Sequence, residues 1–276
     1  MTEATGLRGR RERVGDRTAD PVGRWLLSGP PRPGAPRLYC FPHAGGNPVE
    51  YLRWAELLPG TEVQVVQLPG RGPRYGEPDA ADMADLVAGI LDGIRTEAPF
   101  AFFGHSFGAL VAYETSRALR DTGRRLPRDL VVSAYPAPHL AVPWCDPGGL
   151  SDGELLRAVA DRHGGIPAEV VESRLLHSLV ARPLRADLRL IAGHGHQPGV
   201  PMPVPLTVFG GTGDRLSRRS LSSWQDHTTE SFTVRMFPGG HFYLREHEEL
   251  VLSALRDLIV PLGAEPSPAG PSSLQC

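Results

Sequence analysis

The chain has 276 residues, 41% of them hydrophobic and 22% charged, with a formal net charge of -2. That length carries one large α/β domain or two small ones, no apolar run reaches the roughly eighteen residues of a membrane span, and the balanced charge argues against bulk nucleic-acid binding. All 29 basic residues are Arg, so Schiff-base lysine and P-loop lysine chemistry are both excluded.

Residues 1–22 are polar and Arg-rich without an apolar segment, so they are expected to form a flexible arm rather than a secretory signal. Docking of this arm to an acidic surface is the alternative. Leu38–Phe41 reads as a buried strand closed by Pro42, and Glu62–Leu68 as a β-branched strand closed by Pro69-Gly70. Asp82–Arg95 has helical periodicity. Phe100–Phe103 is a third strand, followed by a helix over Ala109–Arg120, a fourth strand at Leu130–Ser133 and a helix at Asp152–Arg162. Leu206–Phe209 and Phe232–Phe237 are the last strands, and His247–Ile259 the last helix. Residues 263–276 are rich in Pro, Ser, Ala and Gly and are expected to be disordered.

Strands separated by helices imply a mostly parallel central sheet with helices on both faces. The stretch from Pro136 to Pro203 has helical patterns but no strand, which reads as a helical cap inserted at about 138–189. The folded domain is then expected to span 23–262. The three cysteines, Cys40, Cys145 and Cys276, are too few for a disulfide framework or a zinc cluster. Cys40 reads as a core thiol, and a cytoplasmic monomer is the default.

The central feature is Gly104-His105-Ser106-Phe107-Gly108, between an apolar strand and a helical pattern. A G-x-S-x-G motif in strand–turn–helix context is a nucleophile elbow. The turn is tight, so Gly104 and Gly108 are required sterically. It exposes the Ser106 hydroxyl and turns the Phe107 amide toward a developing oxyanion. A helix-start serine in a Gly-rich turn is the bland alternative. A serine hydroxyl needs a base, and in this architecture an acid and then a histidine follow it along the chain. Asp214 follows the strand at Leu206–Phe209, and His241 follows the last strand and Pro238-Gly239-Gly240. The alternative is that Asp214 is an Asx-turn residue, with Asp187 or Asp226 as the acid. The second oxyanion amide is assigned to Ala44, in His43-Ala44-Gly45-Gly46 after the first strand, with His43 and Gly45 as loop support.

Taken together, Phe41-Pro42-His43-Ala44-Gly45-Gly46, the elbow, Gly213-Asp214 and Phe237-Pro238-Gly239-Gly240-His241-Phe242-Tyr243-Leu244 resemble the type II thioesterases. Leu68-Pro69-Gly70-Arg71-Gly72 and Leu184-Arg185-Ala186-Asp187 fit the same family, and the resemblance runs from about Trp25 to Leu262. It implies an α/β-hydrolase fold and hydrolysis of acyl groups from the phosphopantetheine arm of acyl or peptidyl carrier proteins, as an editing step in polyketide or non-ribosomal peptide synthesis. It implies Ser106 as nucleophile, His241 as base, Asp214 as the acid, and no metal or organic cofactor. No nucleic-acid or membrane partner is expected.

Three features depart from the family pattern: the Arg-rich arm, Asn47-Pro48-Val49 after the Gly pair, and Gly193-His194-Gly195-His196-Gln197 after the cap. His194 and His196 lack carboxylates at ligand spacing and read as part of an exposed loop rather than a metal site. Leu155, Leu156, Val159, Leu175, Leu176 and Leu179 lie at helical spacings and could line an acyl channel or pack the cap onto the core. An oxyester esterase, an acyltransferase and a silent carrier-binding module remain the competing functions.

Overall fold

The buried strands are short apolar runs whose alternate residues face opposite sides, so each run needs cover on both faces. A computed structural model describes residues 21–141 and 147–259. In chain order the elements are α1 (Pro21–Trp25), β1 (Leu26–Ser28), β2 (Arg37–Phe41), α2 (Val49–Leu52), α3 (Trp54–Leu57), β3 (Glu62–Val66), α4 (Met83–Gly93) and β4 (Phe100–His105). There follow α5 (Phe107–Asp121), β5 (Leu130–Ser133), α6 (Asp152–His163), α7 (Ala168–Glu172), α8 (Arg174–Gly193) and β6 (Leu206–Gly211). The described residues close with α9 (Arg218–Ser222), β7 (Phe232–Phe237), α10 (Tyr243–Glu246) and α11 (Glu248–Ile259). Most of the arm expected at 1–22, the tail expected at 263–276, Cys145 and Cys276 lie outside the described residues.

The seven strands form one sheet in the order β1-β3-β2-β4-β5-β6-β7. All neighbours are parallel except β1, which runs antiparallel to β3 with Leu26 opposite Val66. This is the α/β-hydrolase arrangement expected from the sequence. The alternation is visible in the core. Tyr39, Phe41, Phe100 and Phe102 pack on one face against α4 and α5. Leu38, Cys40, Ala101 and Phe103 pack on the other against α2, α3 and α11. Each fully buried side chain of this size contributes about 2 kcal/mol through water release. Cys40 is a buried free thiol, as read from its apolar run, and burial pushes its pKa up.

Between β5 and β6 the chain leaves the sheet and builds α6, α7 and α8. Ser151 caps α6 in a reciprocal box with Glu154. Leu155, Leu156 and Val159 of α6 pack against Ala181, Leu184 and Leu188 of α8. The helix α8 continues past position 189 to Gly193, and contains Pro183. Leu175 and Leu179 do not line a channel: they are 87% and 53% exposed. Each lies nine residues before Leu184 or Leu188, which is two and a half helical turns and so the opposite side. Periodicity alone gave two apolar stripes, and only tertiary packing chose between them.

The strand order places β2 and β4 side by side although β3 lies between them in the chain. The connections leave these two strands in opposite directions, which opens a crevice at their carboxyl ends. The loop after β2 and the turn after β4 therefore meet there, with Phe41 opposite Gly104 in the register.

Candidate active site

Ser106 joins β4 to α5 with φ 54° and ψ -121°. Among the described residues only Ser106 and Ala134 combine a side chain with a positive φ. Such a conformation costs about 1–3 kcal/mol and persists only where its surroundings enforce it. The Ser106 amide donates to the Ser133 carbonyl at 2.7 Å, tying the turn to β5. The flanking glycines are needed for different reasons. A Cβ on Gly104 would lie 2.2 Å from the Gly108 carbonyl oxygen, across the turn. A Cβ on Gly108 would lie 1.9 Å from the Phe41 carbonyl oxygen, at the end of β2.

The amides of Ala44 and Phe107 have no protein acceptor among the described residues. Phe107 opens α5, so its N–H is one of the orphan donors of a helix start. The loop carrying Ala44 is turned by a Gly46 N–H donating to the His43 carbonyl at 2.8 Å. Gly45, at φ 68°, donates its N–H to Asp187 Oδ2 at 2.8 Å. Asn47 Oδ1 accepts from the N–H of Val49, the first residue of α2, at 3.0 Å. His43 is buried, shares a hydrogen bond with Tyr51 at 2.9 Å, and lies edge-on to Phe242. Burial first, then the Arg245 guanidinium against the opposing pull of Glu50, depress its pKa to about 3.

At the other side, the loops after β6 and β7 are stitched together. Thr212 N–H donates to the Phe237 carbonyl and Gly213 N–H to the Gly239 carbonyl, each at 2.8 Å. This brings Asp214 and His241 together. His241 Nδ1–H donates to Asp214 Oδ2 at 2.8 Å, with side chains 6% and 4% exposed. A carboxylate can only accept, so the proton sits on Nδ1 and the Nε2 lone pair is free to act as a base. Burial raises the Asp214 carboxyl, but the hydrogen bond and charge of His241 outweigh it and hold the pKa below the usual value. Asp214 Oδ1 also accepts from Leu216 N–H at 3.4 Å, so the Asx turn and the histidine partner coexist. The rival acids are engaged elsewhere: Asp187 with Arg71 and Gly45, and Asp226 within 4.0 Å of His139.

Ser106 and His241 line one cavity of about 150 Å³ with His43, Ala44, Leu188 and Leu216. Most of its wall is apolar, including Tyr135, Val159, Leu184 and Ile191. No direct Ser106–His241 hydrogen bond is formed among the described residues. In unliganded sites such contacts are often long and tighten with substrate.

Sequence reasoning missed the groups behind His241. His105 Nδ1 bonds to Ser133 Oγ at 2.8 Å, and Ser133 Oγ to Tyr243 OH at 2.5 Å. The His105 ring lies 5.3 Å from the His241 ring. His163, at the end of α6, lies 4.5 Å from it on another side. Both residues stand beside recognised motifs or helices, but no periodicity signals a ring-to-ring contact. The segment after α8 is the exposed loop expected, but His194 and His196 within it are half-buried. His194 Nε2 sits 3.3 Å from Glu114 Oε1, and His196 packs edge-on to His227.

This histidine burial predicts acid lability. Burial holds His43 at about 3, His227 at about 4 and His105 well below its ordinary value. Depressed histidines contribute stability that is complete above about pH 6.5 and is lost as pH falls toward their folded values. Asp129, pushed up to about 7 by burial, works in the opposite sense. With His163 also pushed down to about 4, the four histidines outnumber it by about three protons, so the folding constant should drop at least about a hundredfold per pH unit below about pH 6. Urea melts at pH 7.5 and 5.5 measure this, and equal midpoints would refute it.

The thioesterase-domain family model matches residues 36–259. The chain belongs to the thioesterase family. It is an enzyme of the class that hydrolyses thioesters. It is 31% identical over 249 residues to the gramicidin S biosynthesis protein GrsT of Aneurinibacillus migulanus, covering 87% of this chain and 97% of that one. It is 34% identical over 249 residues to the thioesterase PikA5 of Streptomyces venezuelae, covering 88% of each. Among solved structures, the type II thioesterase BorB from the borrelidin biosynthetic cluster superposes with a TM-score of 0.76 at 32% identity. That match covers 85% of this chain and 97% of BorB. No helix among the described residues is long and apolar enough to cross a membrane.

Proposed function

We propose that this thioesterase removes acyl groups from the phosphopantetheine arm of carrier proteins through a Ser106–His241–Asp214 triad. The observation that carries the reading is the strained Ser106 on the wall of an apolar cavity that also holds the Asp214-bound His241. Relatives named for gramicidin S and borrelidin biosynthesis support an editing role in assembly-line synthesis.

The chemistry follows from the groups in place. His241 Nε2 takes the Ser106 proton as Oγ attacks the thioester carbonyl. The Ala44 and Phe107 amides receive the negative charge that develops on the carbonyl oxygen. Collapse of the tetrahedral intermediate breaks the C–S bond, and the imidazolium returns its proton to the departing sulfur. A thiol leaves easily because its pKa is only about 8.5. Water, deprotonated by His241, then attacks the acyl-serine. The carboxylic acid departs and Ser106 regains its proton. Asp214 holds the Nδ1 tautomer and stabilises the imidazolium throughout. The apolar cavity favours the hydrocarbon part of the acyl chain.

Comparing hydrolysis of acyl-carrier proteins with p-nitrophenyl esters of the same acyl groups tests this reading. A higher kcat/KM on the carrier thioester is expected. A clear preference for the oxyester would favour an esterase, and acyl transfer to an added amine or alcohol faster than hydrolysis would favour an acyltransferase.

A further inference from the structure

Two motifs lie outside the triad: Leu68-Pro69-Gly70-Arg71-Gly72 after β3, and Leu184-Arg185-Ala186-Asp187 within α8. They meet at the loop that carries Ala44. Arg71 Nη2 donates to Asp187 Oδ1 at 2.6 Å, with side chains 7% and 3% exposed. The other oxygen of the same carboxylate, Oδ2, accepts the Gly45 N–H at 2.8 Å. Arg71 Nη1 donates to the Gly46 carbonyl at 3.5 Å. The backbone at Gly45 and Gly46, just after Ala44, is thus gripped from two directions, by a guanidinium from the loop after β3 and a carboxylate from α8.

The contact is close as well as polar. A Cβ on Gly45 would lie 3.1 Å from the Leu184 Cβ, one turn before Asp187 on α8. Only a glycine at this positive φ lets the loop approach the helix so closely. Leu184 and Leu188, on either side of Asp187, line the cavity with Ser106. One helix therefore walls the acyl cavity and holds the oxyanion loop.

We propose that Arg71 and Asp187 are positioning residues that tie the oxyanion hole to the seating of α8. Asp187 fixes the Gly45 peptide, and with it the direction of the neighbouring Ala44 N–H. With α8 seated, both hole amides point at the developing charge. With α8 displaced, Gly45 loses its acceptor and the Ala44 donor loses its aim. The inference rests on the proposed assignment of Ala44 to the hole, but not on the carrier protein as substrate.

Asp187→Asn is the decisive variant. It keeps the shape but presents an amide N–H₂ to either Arg71 or Gly45, both of which are donors. Activity is read on a p-nitrophenyl ester, which needs the hole but no carrier protein. A trifluoromethyl ketone, which adds Ser106 to form an oxyanion, supplies the second readout. Rates are normalised to fluorophosphonate-labelled Ser106, and folding is checked by thermal melting. We expect kcat to fall about 100-fold with KM within about twofold, and ketone affinity to fall in proportion. The exchanged pair Arg71→Asp with Asp187→Arg should remain inactive even where it folds, because a guanidinium cannot accept the Gly45 N–H. Unchanged kcat in Asp187→Asn overturns the proposal. So does a loss of kcat with undiminished ketone affinity, or recovery of activity in the exchanged pair. Failure of wild-type enzyme on carrier thioesters would instead count against the proposed substrate, and the ester comparison would still decide the role of Asp187.

Discussion

Ser106→Ala should abolish turnover while leaving the fold intact, with kcat at least about 10⁴-fold lower. In the proposed mechanism the hydroxyl oxygen forms the acyl bond, and no neighbouring group in the cavity wall replaces it at that turn. A fluorophosphonate that still labelled the variant would remove Ser106 from the role. The backbone at this position supplies a second, opposite result. Ser106 holds φ 54°, which costs a residue with a Cβ free energy that glycine avoids. Ser106→Gly should therefore be just as inactive yet melt higher, by the equivalent of about 1 kcal/mol. A lower melting temperature would mean that the hydroxyl or the Cβ contributes more to packing than the turn costs. Loss of activity with gain of stability at one position is the signature of a strained catalytic residue.

Asp214→Asn should lower kcat about 10⁴-fold with structure and KM nearly unchanged. The carboxylate accepts His241 Nδ1–H at 2.8 Å and is only 4% exposed. An asparagine can present its amide N–H₂ to Nδ1, which moves the imidazole proton to Nε2 and removes the base. The imidazolium that forms during attack would also lose its buried counter-charge. The residual rate should rise with pH as hydroxide substitutes for the missing base. Turnover within tenfold of wild type would assign the acid elsewhere, and the engaged positions of Asp187 and Asp226 leave few candidates.

Six of the strands were legible as short apolar runs with Gly or Pro nearby, but their ends were less so: β3 stops at Val66 before the expected Leu68, while β4 and β6 run on through Gly104 to His105 and through Gly210 to Gly211. Ser106, Asp214 and His241 each follow such a run, so topology alone brings their loops to one edge. The strand β1 was not legible: three residues, Leu26–Ser28, carry too little pattern, and their pairing with β3 is set by tertiary contact. The same holds for the ion pair of Arg71 with Asp187. Each motif was visible, but nothing local states that residues so far apart in the chain form a buried ion pair. His105 and His163 were hidden for a related reason, since ring contacts around His241 arise from three separate connections. Leu175 shows the converse, an apolar residue at correct spacing that the packing leaves in water.

Strands β5 and β6 pair directly, with Val131 opposite Thr207, although the whole helical insertion lies between them in the chain. The sheet register does not depend on what the insertion contains, and lengthening such an excursion adds little closure entropy. By that measure the insertion is a module through which chain-length preference could be redesigned while the loops of Asp214 and His241 stay on the sheet, provided the ring packing of His163 on His241 is kept. The carboxylate of Asp187 sets the condition on such a graft. A replacement helix has to deliver an acceptor to Gly45 and an anion to Arg71, or it will reshape the cavity and disarm it in the same step.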